Sequence, residues 1–142
     1  MPDVIVKSDL QSAILLHQSG QLKQAAVVCK QVLKTDPENS DALHLLGLVF
    51  HQSGQLTIAV KLIKRALKVS PNQPDFLFSL ADILRESGQF EEAVRVYKKV
   101  IEFKPASAGV YNSLGISLHK LNEFQFAIQA YYSAIKLDSA GK

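Results

Sequence analysis

His17-Gln18-Ser19-Gly20-Gln21-Leu22 recurs unchanged as His51-Gln52-Ser53-Gly54-Gln55-Leu56, 34 residues further on. A third copy reads Glu86-Ser87-Gly88-Gln89-Phe90, and Asn122-Glu123-Phe124 stands where a fourth belongs. Alanines keep step at Ala25, Ala59, Ala93 and Ala127, and prolines at Pro37, Pro71 and Pro105, with Ser139 in the fourth slot. A fixed period of this length marks a repeat array, in which each unit is one supersecondary element. The units are 6–39, 40–73, 74–107 and 108–141, after an extension of 1–5, and they are expected to form one continuous solenoid over 1–142.

Inside a unit the apolar pattern has helical period. Leu43, Leu46, Gly47 and Phe50 make one stripe, Gly54 interrupts it, and Leu56, Ala59, Val60, Ile63, Ala66 and Leu67 make a second that ends at Ser70-Pro71. Glycine just past a helix accepts the left-handed conformation that closes the last turn. Proline lacks an amide proton and disfavours helix in the residue before it. Each unit therefore reads as two helices, and no stretch alternates with period two as a strand would. Small residues at Ala13, Gly47, Ala81 and Gly115, facing the alanine column, mark where the two helices cross closely. Large side chains beside the crossing are Leu16, Phe50, Leu84 and Leu118, opposite Cys29, Ile63, Tyr97 and Tyr131.

Leu46-Gly47, Leu114-Gly115, the glycine and alanine steps and the closing prolines, all at 34-residue spacing, resemble the tetratricopeptide repeat. The resemblance covers nearly the whole chain and departs from the pattern at Asp9, Ser12, Val32, Val100 and Ser139. It implies an all-α, right-handed superhelical solenoid of antiparallel helix pairs, whose first helices line a concave groove for a peptide or partner protein. By that resemblance the groove residues are Ile14 and His17 in the first unit, and Asp41, His44, Leu45, Leu48, His51 and Gln52 in the second. The third supplies Asp75, Phe78, Ser79, Asp82, Arg85 and Glu86, and the fourth Gly109, Asn112, Ser113, Ile116, His119 and Lys120. Some members clamp a terminal carboxylate with cationic side chains. The matching positions here, Leu10, Ile14, Leu45, Asp75 and Ser79, include no cation, so that mode of capture is not expected.

Asp9 and Ser12 occupy apolar columns, which predicts a shifted register for the first helix, with Val4, Ile5 or Val6 packing instead. At the other end Phe124, Ile128, Tyr131 and Ile135 form a face that a following helix would normally cover. Terminal repeats generally need a polar outer face, so the chain is expected to continue in a longer protein or to self-associate through this end.

Composition narrows the chemistry. Of 142 residues, 47% are hydrophobic and 20% charged, which is ordinary for a folded chain. A net charge of +3 is far below the basic field of a dedicated nucleic-acid binder, and no nucleic-acid partner is expected. Lys61, Lys64, Arg65 and Lys68 lie on one helical face and read as a solvated exterior. His17, His51 and His119 share one position in three units, with Arg85 in the other; there a cation would favour the helix C-terminus. Separate helices space these imidazoles too widely for zinc, and no metal or cofactor is expected. Cys29, the only cysteine, reads as a buried reduced thiol. The chain contains no phosphate-loop, dinucleotide, zinc-hydrolase or nucleophile-elbow motif. Without a signal-peptide core or an apolar run of membrane length, a cytoplasmic location is expected.

These readings lead to a non-catalytic interaction scaffold. The alternative is the N-terminal arm of a larger enzyme, such as a glycosyltransferase or sulfotransferase, with catalysis elsewhere.

Overall fold

The computed structural model describes residues 2–105 and 107–140, and the side chains of residues 9–105 and 107–139. Eight helices follow one another: α1 (Pro2–Gln18), α2 (Leu22–Thr35), α3 (Ser40–Gln52), α4 (Leu56–Val69), α5 (Pro74–Glu86), α6 (Phe90–Phe103), α7 (Ala108–Lys120) and α8 (Phe124–Ala140). No strand occurs among the described residues. The helices gather into two compact units, 1–71 and 72–142, each holding two repeats.

The repeated punctuation has one geometry. Gly20, Gly54 and Gly88 have φ between 80° and 82°. Their amides donate to the carbonyls of His17, His51 and Arg85, and the following glutamine amides donate to Leu16, Phe50 and Leu84 at 2.8–2.9 Å. This paired closure satisfies carbonyls that the helix end would leave bare. In the last repeat Asn122, at φ 62°, does the same work, its amide bonding to His119 and that of Glu123 to Leu118. Asparagine tolerates this region better than most side chains.

Proline acts where it is present. α2, α4 and α6 stop two residues before Pro37, Pro71 and Pro105, whereas α8 runs through Ser139 to 17 residues, against 14 in the others. Where serine replaces proline, the next turn keeps its amide donor and the helix continues.

In the first compact unit α1 pairs with α2 and α3 with α4, while α2 packs on α3. In the second, α5 pairs with α6, α7 with α8, and α6 packs on α7. The small-residue columns sit at the crossings. A Cβ built on Gly47 would come 2.6 Å from Ile63 Cγ1, and one on Gly115 2.6 Å from Tyr131 Cε1. Ala13, Ala25, Ala59, Ala81 and Ala93 are fully buried, as are Cys29, Ile63, Leu84 and Tyr97.

Two expectations are corrected. The first helix is not shifted in register: Ala13 is fully buried in the same column as Gly47, and Gln11 and Ser12 are exposed. Their counterparts Leu45 and Leu46 are buried, so the polar residues at 11 and 12 go with a change of exposure on α1 and not with a change of register. The side chains of Val4, Ile5 and Val6 lie outside the described residues. At the far end Phe124, Ile128 and Ile135 are exposed as expected, but Tyr131 is half-buried over Gly115. Tyr132 is the tyrosine that faces outward.

Candidate surface for partner binding

The first helices carry the candidate groove residues, and each compact unit holds its own set. In the first unit α1 lies beside α3. Ile14 is 42% exposed, Asp41 and Gln52 are exposed, and His17, His44, Leu48 and His51 are half-buried. Leu45, at 7%, belongs to the core and offers little to a ligand. The ring Nε2 of His17 is buried with no hydrogen-bond partner among the described residues. Asn39 initiates α3, its side-chain oxygen accepting from the Ala42 amide at 2.9 Å, which secures the end of the helix that carries Asp41 and His44.

In the second unit α5 lies beside α7. Asp75, Glu86, Gly109, Asn112, His119 and Lys120 are exposed, and Phe78, Ser79, Asp82, Arg85, Ser113 and Ile116 are half-buried. Below Gly109 and Asn112 a hollow of about 470 Å³ is walled by Tyr131, Ala134, Ile135 and Asp138. His119 meets Phe124 edge-on, with ring centroids 5.5 Å apart.

A polar network braces α5. The Tyr97 hydroxyl of α6 donates to the Asp82 carboxylate and accepts from Arg85 Nε at 3.1 Å, while the Arg85 guanidinium lies 3.7 Å from the same carboxylate oxygen. Phe78 packs edge-on against the Tyr97 ring at 6.2 Å. Burial and the bond to Asp82 push the Tyr97 hydroxyl above the ordinary tyrosine range; its hydrogen bond and neighbouring charges hold Arg85 further protonated than usual, against the opposing pull of burial. Asp82 and Arg85 are therefore spoken for from within, and present only part of their charge to a partner. Sequence reading assigned Tyr97 to the core alone. The available signal was paired: a carboxylate where the other units have Ile14, Leu48 and Ile116, and a hydroxyl in the column of Cys29 and Ile63.

His17, His51, Arg85 and His119 all lie in the last turns of their helices. Among the described residues no three of His, Cys, Asp and Glu converge as a metal would need. Lys61, Lys64, Arg65 and Lys68 are exposed on α4. Cys29 is fully buried, and burial pushes its thiol from 9.0 to about 11. No helix among the described residues is long and apolar enough to cross a membrane.

No curated protein matches the sequence. Among solved structures the chain is similar to one titled MamA MSR-1, at 21% identity and a TM-score of 0.84, covering 96% of this chain and 79% of that one. Another MamA crystal structure gives 19% identity and a TM-score of 0.90, covering 96% and 80%. An O-GlcNAc transferase mutant from Thermobaculum terrenum gives 29% identity and a TM-score of 0.79, with 84% of this chain matching 23% of that one. These likenesses agree with an all-α solenoid of helix pairs. Tetratricopeptide repeat models match residues 16–63, 62–95 and 108–140, and a TPR repeat model matches 81–122. Matched by four such models over residues 16–140, the chain belongs to the tetratricopeptide repeat family.

Proposed function

We propose that the chain is a non-catalytic scaffold that binds a segment of another protein along its first helices. The observation that carries this reading is a half-open apolar pair in each compact unit: Ile14 and Leu48 in the first, and Phe78 and Ile116 in the second, each keep a large hydrophobic side chain partly in water, flanked by exposed polar residues. A monomer gains nothing by leaving such side chains wet, whereas a partner that covers them gains their burial. Family membership supports the same use. Affinity capture with wild type and with Ile14→Glu/Leu48→Glu and Ile116→Glu variants, read by mass spectrometry, tests it. A protein retained by wild type and lost from both variants is expected; identical captures from all three would end the reading.

The exposed Phe124, Ile128 and Ile135 on α8 support association through that end. Because Gln11 and Ser12 make the outward side of α1 polar, like-to-like pairing of α8 with α8 fits better than head-to-tail stacking. Sedimentation with Ile128→Glu checks this.

A second reading makes this module the arm of a larger enzyme, favoured by the 29% identity to a stretch of the O-GlcNAc transferase. A transcript whose reading frame carries a catalytic domain together with these repeats would establish it.

A further inference from the structure

The second compact unit holds a trough on the side opposite to the first-helix face described above. It lies between α6 and α8, with α7 as its floor, and encloses about 530 Å³. Tyr111, Leu114 and Leu118 of α7, with Leu121 just past its end, make the floor at helical spacing, and a rise over ten residues gives it a length of about 15 Å. One wall, from α6, carries Glu91, Arg95 and Lys98; the other, from α8, carries Phe126, Gln129, Ala130 and Ser133 and has no charge.

The trough results from particular small residues. Two repeats earlier, Phe50, Leu62 and Arg65 stand where this unit has Leu118, Ala130 and Ser133. There Phe50 is capped by Lys30, whose Nζ lies 5.9 Å from the ring centroid. Truncating all three positions empties the space that a ring, a leucine and an arginine would take. The counterpart of Lys30 is Lys98, which has lost its ring. Neither Arg95 nor Lys98 forms an ion pair among the described residues, and both are exposed.

We propose that this trough binds an amphipathic helix of a partner protein, with apolar anchors against the exposed Phe126 and the half-buried Tyr111 and Leu121, above the buried Leu114 and Leu118, and acidic residues along the flank facing Arg95 and Lys98. A helix fits because the walls are themselves helices running alongside the floor, and the trough spans the i to i+7 anchors of a helix laid in a groove. Acidic character follows from the two unpaired cations at the middle and upper part of one wall, opposite a neutral one. Glu91 and Glu123 at the lower end set polarity: they disfavour acid there and so orient the helix. The site is independent of the first-helix surface and stands whether or not that surface binds.

The test uses the full chain and a displayed library of helices of about 15 residues, with apolar residues fixed at i, i+3, i+4 and i+7 and random flanks. Enriched peptides are expected to carry Asp or Glu on one flank. Their affinity should fall at least about tenfold with Arg95→Glu/Lys98→Glu, whose exposed positions leave folding intact. A similar loss is expected with Leu118→Phe/Ala130→Leu, which restores the plug found two repeats earlier, and no change is expected with Leu48→Glu. Absence of enrichment, basic flanks, or affinity indifferent to both trough variants would overturn the proposal. So would sedimentation showing that the plug abolishes a wild-type dimer, since the occupant would then be a second copy.

Discussion

The hydroxyl of Tyr97 on α6 donates to the carboxylate of Asp82 on α5, and Arg85 completes the set by donating to that hydroxyl. Two polar departures from apolar columns are thus each other's partners. Tyr97→Phe should destabilise the chain by about 1–2 kcal/mol, because Asp82 loses a donor in a half-buried setting. Adding Asp82→Leu, the residue type of Leu48 at the same position, should recover only part of that loss: the unsatisfied carboxylate is gone, but the half-buried Arg85 has then lost both of its acceptors. Urea denaturation of the single and double variants measures the coupling; additive losses would show that the pair does not act as one.

Gly47→Ala should destabilise by about 1–2 kcal/mol net, the overpacking against fully buried Ile63 exceeding what alanine gains in a helix. Gly115→Ala meets the ring of Tyr131, which is half-buried on the last helix and freer to move, so its cost should be smaller. Thermal midpoints of the two variants test the order.

A Cβ on Gly54 would touch nothing within 4 Å, so Gly54→Ala isolates the backbone cost of φ 82°. A loss of about 1 kcal/mol is expected. Asn122→Gly, at φ 62°, should be neutral or slightly stabilising, as the same left-handed corner is then held without a side chain. Both follow from equilibrium unfolding.

With its thiol raised from 9.0 to about 11, Cys29 should hold about a hundredfold less thiolate at pH 8 in the folded chain than in the unfolded one. Disulfide-exchange reagents should therefore modify it slowly until denaturant is added. Folded Cys29 keeps its proton longer than unfolded Cys29, so its contribution to stability should be constant below pH 9, fall between pH 9 and pH 11, and level off above, while the raised Tyr97 hydroxyl adds a further decline that begins near pH 10. Replacing Cys29 by Ala should remove the part of the decline that starts at pH 9 and leave the part due to Tyr97, at the cost of a small cavity.

Much of this architecture was legible because its causes are local. Gly20, Gly54 and Gly88 close helices through their own φ angles, and the prolines stop them through a missing donor. The extension of α8 past Ser139 follows the same rule. The candidate surface was less legible. Leu45 reads as a groove residue by position, yet it is buried; the depth of a half-apolar face depends on the helix laid beside it. Asp9 and Ser12 read as a register shift, yet Ala13 stays buried in its column while Ser12 is exposed and Asp9 half-buried.

What the sequence determined by itself is the period, the helix ends and the identity of the small residues at each crossing, since each depends on a backbone preference or a volume carried by one residue. What only the tertiary structure decided is which side chains across two helices share a partner. Asp82, Arg85 and Tyr97 are separated along the chain and meet because α5 and α6 pair, and the trough over Leu118 opens because Ala130 and Ser133 arrive on α8. Hydrogen bonds and cavities are properties of juxtaposed surfaces, and no single helix carries them.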